Sequence, residues 1–325
     1  MPTLQNLTRA IFGACLALVH AVALAQGAAG YPGRMIKLVV PFPAGGATDI
    51  MARNIAQKLN EAWKQPVVVE NRPGANGTIG ADAVAKSPAD GYTYLVATIA
   101  HSANVTLFPN TPYQLQRDLQ AVAILGLIPI VLVVHPSLPV RNLKELVAIS
   151  KKQPLNGGSG GNGTAAHLTL ELFKSVTGAK IQHIPYKGGA PAMTDLVGGQ
   201  IEVIFSLLPE CLPYVKSGKI RGLAVTTDKR YSLLPDIPTT SESGIPGLEV
   251  TSWNGLMAPT GTPGDIVTRL NAEVVRITGM PDMNARITEL GYQTSAMSVG
   301  DADKYIKADI ERWRKVIRAA NIRAD

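Results

Sequence analysis

The chain has 325 residues, 46% of them hydrophobic and 17% charged, with a formal net charge of +7. That length suits one large domain or, more usually, two. Basic residues are scattered apart from a C-terminal cluster, which gives no track for nucleic acid. Two cysteines, Cys15 and Cys211, provide no disulfide framework, no CxxC and no cysteine metal site.

Residues 1–25 carry the pattern of a secretory signal peptide. Arg9 makes a positive start, Ala10 to Ala23 is an apolar run, and Ala23-Leu24-Ala25 is a small-x-small site with cleavage expected before Gln26. Loss of Arg9 leaves a mature net charge near +6. No later run is long enough to cross a bilayer. The expected location is outside the cytoplasmic membrane, and a mild positive field there attracts small anions.

Ile36 to Val40 reads as a buried strand, stopped by Pro41 and Pro43. Gly45 and Gly46 allow a tight turn, and Thr48 or Asp49 can cap a helix. Ile50, Ile55, Leu59 and Ala62 recur at helical spacing, so this helix runs to about Trp63. The N–H groups of such a helix start have no partner in the helix and favour an anion. Pro43, Ala44, Gly45, Gly46 and Asp49 are therefore candidate contacts, forming half of a carboxylate-binding cleft. Asp49 is an acid beside an anion site. It can cap its own helix or accept from a polar ligand group, and both roles stay open.

Val67 to Val69 and Tyr94 to Ala97 read as further strands, with a turn at Asn71 to Gly77 and a helix through Ile79 and Val84 between them. This alternation predicts a parallel sheet covered by helices. The stretch leaving the third strand carries His101, Ser102 and Asn104. Strand ends line ligand crevices in open α/β sheets, so His101 and Ser102 are candidate contacts on a cleft loop. Ala121 to Val134 is an apolar run broken by Pro129, read as the crossing to a second domain.

Asn156 to Thr164 (NGGSGGNGT) is a second glycine turn, leading into a helix from Ala165. Strands at Ile181 to Ile184, Ile201 to Phe205 and Ile220 to Thr226 follow. A third glycine turn, Tyr186 to Ala192, contains Lys187, and a short helix spans Pro209 to Val215. Val250 to Pro259 returns the chain to the first domain. A helix follows Pro263, and a terminal helix from Asp301 to Ala320 puts Ile306, Ile310, Trp313 and Ile317 on one face. The expected domains are 26–130 with 248–325, and 131–247 as an insert.

Residues 158–163 match GxGxxG, and residues 157–161 match GxSxG. A dinucleotide site needs a preceding strand and a following acid, and neither is evident. A nucleophile elbow needs that strand too, with an acid and then a histidine downstream. Asp195 follows His167 and His183, and no histidine lies beyond it. Ser159, Asn162, Gly163 and Thr164 are instead read as donors to a bound carboxylate, with an N-cap role open for Thr164. His101, His135, His167 and His183 lack metal-ligand spacing. Lys187 can pair with a second carboxylate or be solvated. No catalytic residue, metal or cofactor is expected.

Several stretches resemble one family in order along the mature chain: PFPAGGATDIMAR (41–53), VVVENRPGANGTIGADAVAKSPADGYTYLVAT (67–98), GSGGNGTAAHLTLELF (158–173), IPYKGGAPAMTDLVGGQIEVIFS (184–206) and SWNGLMAPTGTP (252–263). They are similar to the periplasmic solute-binding proteins of tripartite tricarboxylate transporters, also called Bordetella uptake gene receptors. The resemblance implies a type II periplasmic-binding-protein fold, two α/β lobes on a two-crossing hinge with the cleft between them. It implies a carboxylate gripped between Pro43–Asp49 and Ser159–Thr164, often through water, in a monomeric receptor that serves a membrane permease. Two positions depart from the family pattern. Ser206 stands where Asp is frequent, which weighs against an ammonium-bearing ligand if the residue faces the cleft. Asn254 stands where an aromatic residue is frequent. Two other functions remain open: a secreted hydrolase using Ser159, and a sensor that passes ligand occupancy to a signalling protein.

Overall fold

The computed structural model describes residues 30–323. The segment read as a signal peptide, residues 1–25, lies outside them. The chain begins with β1 (Ile36–Val40), α1 (Ala47–Trp63), β2 (Val67–Asn71), α2 (Thr78–Ala85), β3 (Thr93–Thr98), α3 (Ile99–Leu107) and the single turn α4 (Leu115–Asp118). The sixteen-residue strand β4 (Leu119–Val134) leads to α5 (Leu143–Lys152), β5 (Leu155–Ser159), α6 (Ala165–Thr177), β6 (Ile181–Pro185) and α7 (Gly189–Val197). Then come β7 (Val203–Leu207), α8 (Leu208–Lys216), β8 (Arg221–Val225), β9 (Thr251–Pro259), α9 (Gly264–Gly279), α10 (Pro281–Glu289) and α11 (Val299–Ala319).

Two sheets share β4. In the first lobe the order is β2-β1-β3-β9-β4, with β2, β1 and β3 parallel and β9 antiparallel to both its neighbours. In the second, β6, β5 and β7 are parallel, and β4 joins β7 and β8 antiparallel. Leu119 to Pro129 of β4 pairs with β9, while Ile130 to Val134 pairs with β7 and β8. The expected crossing is thus one unbroken strand that changes sheets at Pro129, where a missing N–H donor costs least.

The return crossing lies beside it, at Val250–Thr251, with Thr251 opposite Pro129. Thr226 ties the two together. Its N–H donates to Ile130 O at 2.9 Å, its carbonyl accepts the Val250 N–H at 3.0 Å, and its hydroxyl reaches the Ile130 and Val250 carbonyls. This is the two-crossing hinge of a type II periplasmic-binding-protein fold.

Helix burial follows the apolar spacing. α1 buries Met51, Ile55 and Leu59 against β1 and α9, in a core with Leu38, Leu270 and Val274. α11 buries Ile306, Ile310, Trp313 and Ile317 on a second core that runs along β4 into both lobes. Four elements were not expected: α3, read as a cleft loop, the single turn α4, α10 and β5. α10 follows a Pro281 start that carries few apolar residues. β5 precedes the second glycine turn, although its sequence, LNGGS, has one apolar residue. Packing explains its glycines: a Cβ on Gly157 would lie 2.8 Å from Ile181 Cγ2 and 2.9 Å from Leu170 Cδ2, and one on Gly158 would collide with Ile201. A central strand squeezed between layers reads as a loop when its inward positions must be glycine.

Candidate carboxylate-binding cleft

Five strands lead into helices whose first turns face one cavity of about 150 Å3 between the lobes. The pairs are β1–α1 and β3–α3 from the first lobe, and β5–α6, β6–α7 and β7–α8 from the second. Their N-cap residues, Gly46, Thr98, Thr164, Gly188 and Leu207, all line the cavity. Of the five, Thr98 alone accepts a capping hydrogen bond on its side chain. The first-turn N–H groups of a helix have no intrahelical acceptor, and each helix start carries partial positive charge. The remaining lining is mainly apolar, with Ile99, Ile128, Met193 and Ile204 among it.

Pro43, Ala44, Gly46, Asp49, Ser159, Thr164, Lys187 and Ser206 are brought together on this lining, and so is Asn254. Gly45, His101, Ser102, Asn162 and Gly163 are not among the lining residues.

His101 is not on a loop. It sits in the first turn of α3, fully buried, with its ring edge-on to Phe42 at 6.1 Å. Its Nδ1 accepts the Thr98 N–H at 3.1 Å, closing a reciprocal cap with the Thr98 side chain. Burial pushes its pKa down to about 4, so it is neutral at physiological pH. Ser102 is fully buried on the same helix, near Asp309 of α11.

In the first-lobe turn the protein uses part of its own donor set. Asp49 Oδ2 accepts the Gly45 N–H and Arg53 Nε, each at 2.9 Å, and Oδ1 accepts Asn71 Nδ2 at 2.9 Å. Burial alone would raise the Asp49 pKa, but these bonds outweigh it and hold the carboxyl below its usual range. Asp49 is therefore a turn-builder whose acceptor capacity is largely used.

The second-lobe turn is braced from behind. Ser159 Oγ meets His183 Nε2 at 2.6 Å and accepts the Gly161 N–H at 3.1 Å. His167 stacks on His183 with ring centroids 4.0 Å apart, and its Nδ1 accepts the Gly163 N–H at 3.0 Å. Thr164 Oγ1 donates to Gly161 O at 2.7 Å. Burial lowers the His167 pKa to about 4, which keeps it a neutral acceptor. Asn162 and Gly163 shape the loop rather than line the cavity.

Sequence reasoning did not find Glu210. It lies in the first turn of α8 and lines the cavity. Its carboxylate accepts the Ala47 N–H across the cleft, at the start of α1. The cleft thus carries an acid even though position 206 is serine. Asn254 is also informative. Its Nδ2 donates to Thr48 Oγ1 at 3.1 Å, while its Oδ1 is buried with no protein partner.

The lobes touch across the cleft. A Cβ on Gly163 would run into Asn76 Nδ2 of the first lobe and lie 3.2 Å from Leu107 Cδ1. This is a closed arrangement of a hinged pair of lobes. Among the described residues no helix is long and apolar enough to cross a membrane, and no cluster of side chains could hold a metal ion.

Two α/β lobes closing on a cavity ringed by helix starts make the fold of the periplasmic solute-binding proteins. The chain belongs to the tripartite tricarboxylate transporter receptor family, whose model matches residues 51–322. It is 38% identical over 323 residues to Protein BugT of Bordetella pertussis, covering 97% of this chain and 98% of that one. Among solved structures, R. palustris Rpa4515 with adipate is 40% identical with a TM-score of 0.87, covering 90% of this chain and 99% of that one. MatC from Rhodopseudomonas palustris with bound malate is 32% identical with a TM-score of 0.83, over 88% of this chain and 100% of that one.

Proposed function

We propose that this protein is a periplasmic receptor that captures a small organic carboxylate in its interlobe cleft and presents it to a membrane permease. The observation that carries this reading is the convergence of five helix starts, four without a side-chain cap, on one mainly apolar cavity. A carboxylate entering a closed cleft loses its water, which costs several kcal/mol unless donors replace it. Fixed backbone N–H groups supply those donors without a counter-charge. Each helix start adds about 0.3–1 kcal/mol when exposed and more when partly buried. The apolar walls accept the body of an organic acid, and the unpaired Asn254 Oδ1 suits a hydroxyl on it. Relatives solved with adipate and malate support the same ligand class.

In this reading Gly46, Ser159, Thr164, Ser206 and Asn254 contact the ligand, with Lys187 at the rim. Residues 26–130 with 248–325 form one lobe and residues 131–247 the other. The receptor acts as a monomer, exported by cleavage of residues 1–25, and has no catalytic activity. The test is mass spectrometry of the ligand retained on gently purified protein, then calorimetry with that compound on the emptied receptor. Recovery of an organic acid that rebinds one-to-one is expected. Failure of mono-, di- and tricarboxylates alike to bind the emptied protein would refute the reading.

The 2.6 Å Ser159–His183 contact favours a second reading, a serine hydrolase. Against it, Ser159 is fully buried and its hydroxyl is engaged with its own loop. It also lies on the regular end of β5, without the strained exposed turn that an elbow nucleophile needs. A serine-reactive phosphonate that labels Ser159 stoichiometrically would revive the hydrolase.

A further inference from the structure

Glu210 occupies a place that a ligand carboxylate would want. It reaches from α8 of the second lobe to the N–H of Ala47, the first residue of α1 in the first lobe. Its carboxylate also lies against the start of α7, where a Cβ on Gly189 would come within 3 Å of it and push it aside. No ion pair holds it: among the described residues no Lys or Arg forms a salt bridge with Glu210.

The surrounding ionisable groups give it little help. Asp49 on α1 is already held by Arg53 and Asn71. Tyr292, whose hydroxyl donates to Ala47 O, and Cys211 on α8 are both neutral, since burial raises both pKa values. Lys187 lies exposed at the cleft rim, on the loop before α7.

We propose that Glu210 is a ligand-facing residue that makes acid capture proton-coupled: the cleft takes up an organic carboxylate together with one proton, held on Glu210. Two carboxylates confined in one poorly solvated cavity cannot both stay ionised, so one takes a proton from solvent and the pair shares it. Protonated Glu210 then donates a hydrogen bond to the incoming carboxylate instead of repelling it. In the empty cleft burial already raises the Glu210 pKa to about 7, against the pull of the Ala47 N–H, so the proton is cheaply acquired near neutral pH. The sign follows from linkage. Binding raises this pKa further, so affinity is flat below about pH 7 and falls by about tenfold per pH unit above it. The proposal rests on the carboxylate-receptor reading and deepens it by assigning the proton.

The test compares wild type with Glu210→Gln, which keeps an acceptor for the Ala47 N–H and removes the charge. Calorimetry with adipate and with hexanoate from pH 6 to pH 8.5, in phosphate and in Tris, reports affinity and protons taken up. Wild type should weaken by roughly 30-fold from pH 6 to pH 8.5 and take up close to one proton at pH 8. Glu210→Gln should change by less than about threefold and take up none. Wild-type binding that is independent of pH, or a variant with the same pH profile, would overturn the proposal alone. A variant that loses affinity equally at every pH would also overturn it, because Glu210 would then be accepting from a ligand donor. Failure at pH 6 of both acids, and of the wider mono-, di- and tricarboxylate series, to bind wild type would overturn the carboxylate reading and this proposal with it.

Discussion

Gly163 should control closure of the lobes without touching the ligand. It has φ +77, and an added Cβ would meet Asn76 Nδ2 of the opposite lobe. Gly163→Ala has two separable consequences. The left-handed backbone costs about 1–2 kcal/mol in any state of the folded protein. The collision arises only when the lobes meet. To stay closed, the variant must displace Asn76. That breaks the bond from Asn76 Nδ2 to Asn104 Oδ1 at 2.9 Å, while the bond from Asn104 Nδ2 to the Asn76 backbone carbonyl survives. At about 1 kcal/mol for the lost bond, closure weakens by roughly fivefold in affinity. Gly218→Ala is the control: φ is +70 and nothing lies within 4 Å of the added Cβ. It carries the backbone cost alone. Calorimetry with the tightest-binding C4–C7 dicarboxylate should show Gly163→Ala weakened and Gly218→Ala at wild-type affinity, with similar falls in Tm. Affinities of the two variants within threefold of each other would refute the closed-lobe geometry.

Ser159→Ala removes the brace between His183 and the Gly161 N–H, and should weaken ligand binding by about 1 kcal/mol while leaving the fold intact. Abolished binding, read by calorimetry, would mean that the Ser159 hydroxyl is the dominant ligand contact and not chiefly a brace. Thr226→Val should destabilise the protein by about 1–2 kcal/mol in urea unfolding, because the Thr226 hydroxyl joins both hinge crossings. An unchanged midpoint would remove the hydroxyl from the hinge. Asp49→Asn should destabilise by about 1–3 kcal/mol at pH 7. Because the folded pKa of Asp49 lies below its unfolded value, that stabilisation exists above about pH 4 and is lost as pH falls through the folded value. The gap between variant and wild type should therefore close in acid, and a constant gap from pH 7 to pH 3 would contradict the assignment.

Much of the fold was legible because its signals are local. The run from Ala121 to Val134, broken by Pro129, reads as a crossing between domains, and in the structure it is one strand whose pairing changes at that proline. The three glycine turns marked three of the five helix starts on the cavity. The other two, at Thr98–Ile99 and Leu207–Leu208, follow their strands without an intervening residue, so no turn chemistry flags them. β5 was missed because its glycines answer to Ile181, Leu170 and Ile201, which are distant in sequence. His101 looked like a cleft residue by its place after a strand, but it turns inward to cap α3. Glu210 was invisible for the opposite reason. A single Glu in the first turn of a helix is an ordinary dipole partner, and nothing in its spacing tells that it crosses to the other lobe. The Ser206 departure weighed against an ammonium-bearing ligand, and Glu210 returns an acid to the cleft from another position.

The most direct measurement is calorimetry of the emptied receptor against matched pairs, each organic acid beside its primary amide, at pH 6. Backbone donors at helix starts reward negative charge, so at least one acid should bind in the micromolar range, about −8 kcal/mol, with its amide at least 100-fold weaker. An amide that binds as tightly as its acid would show that the helix starts are not the anchor.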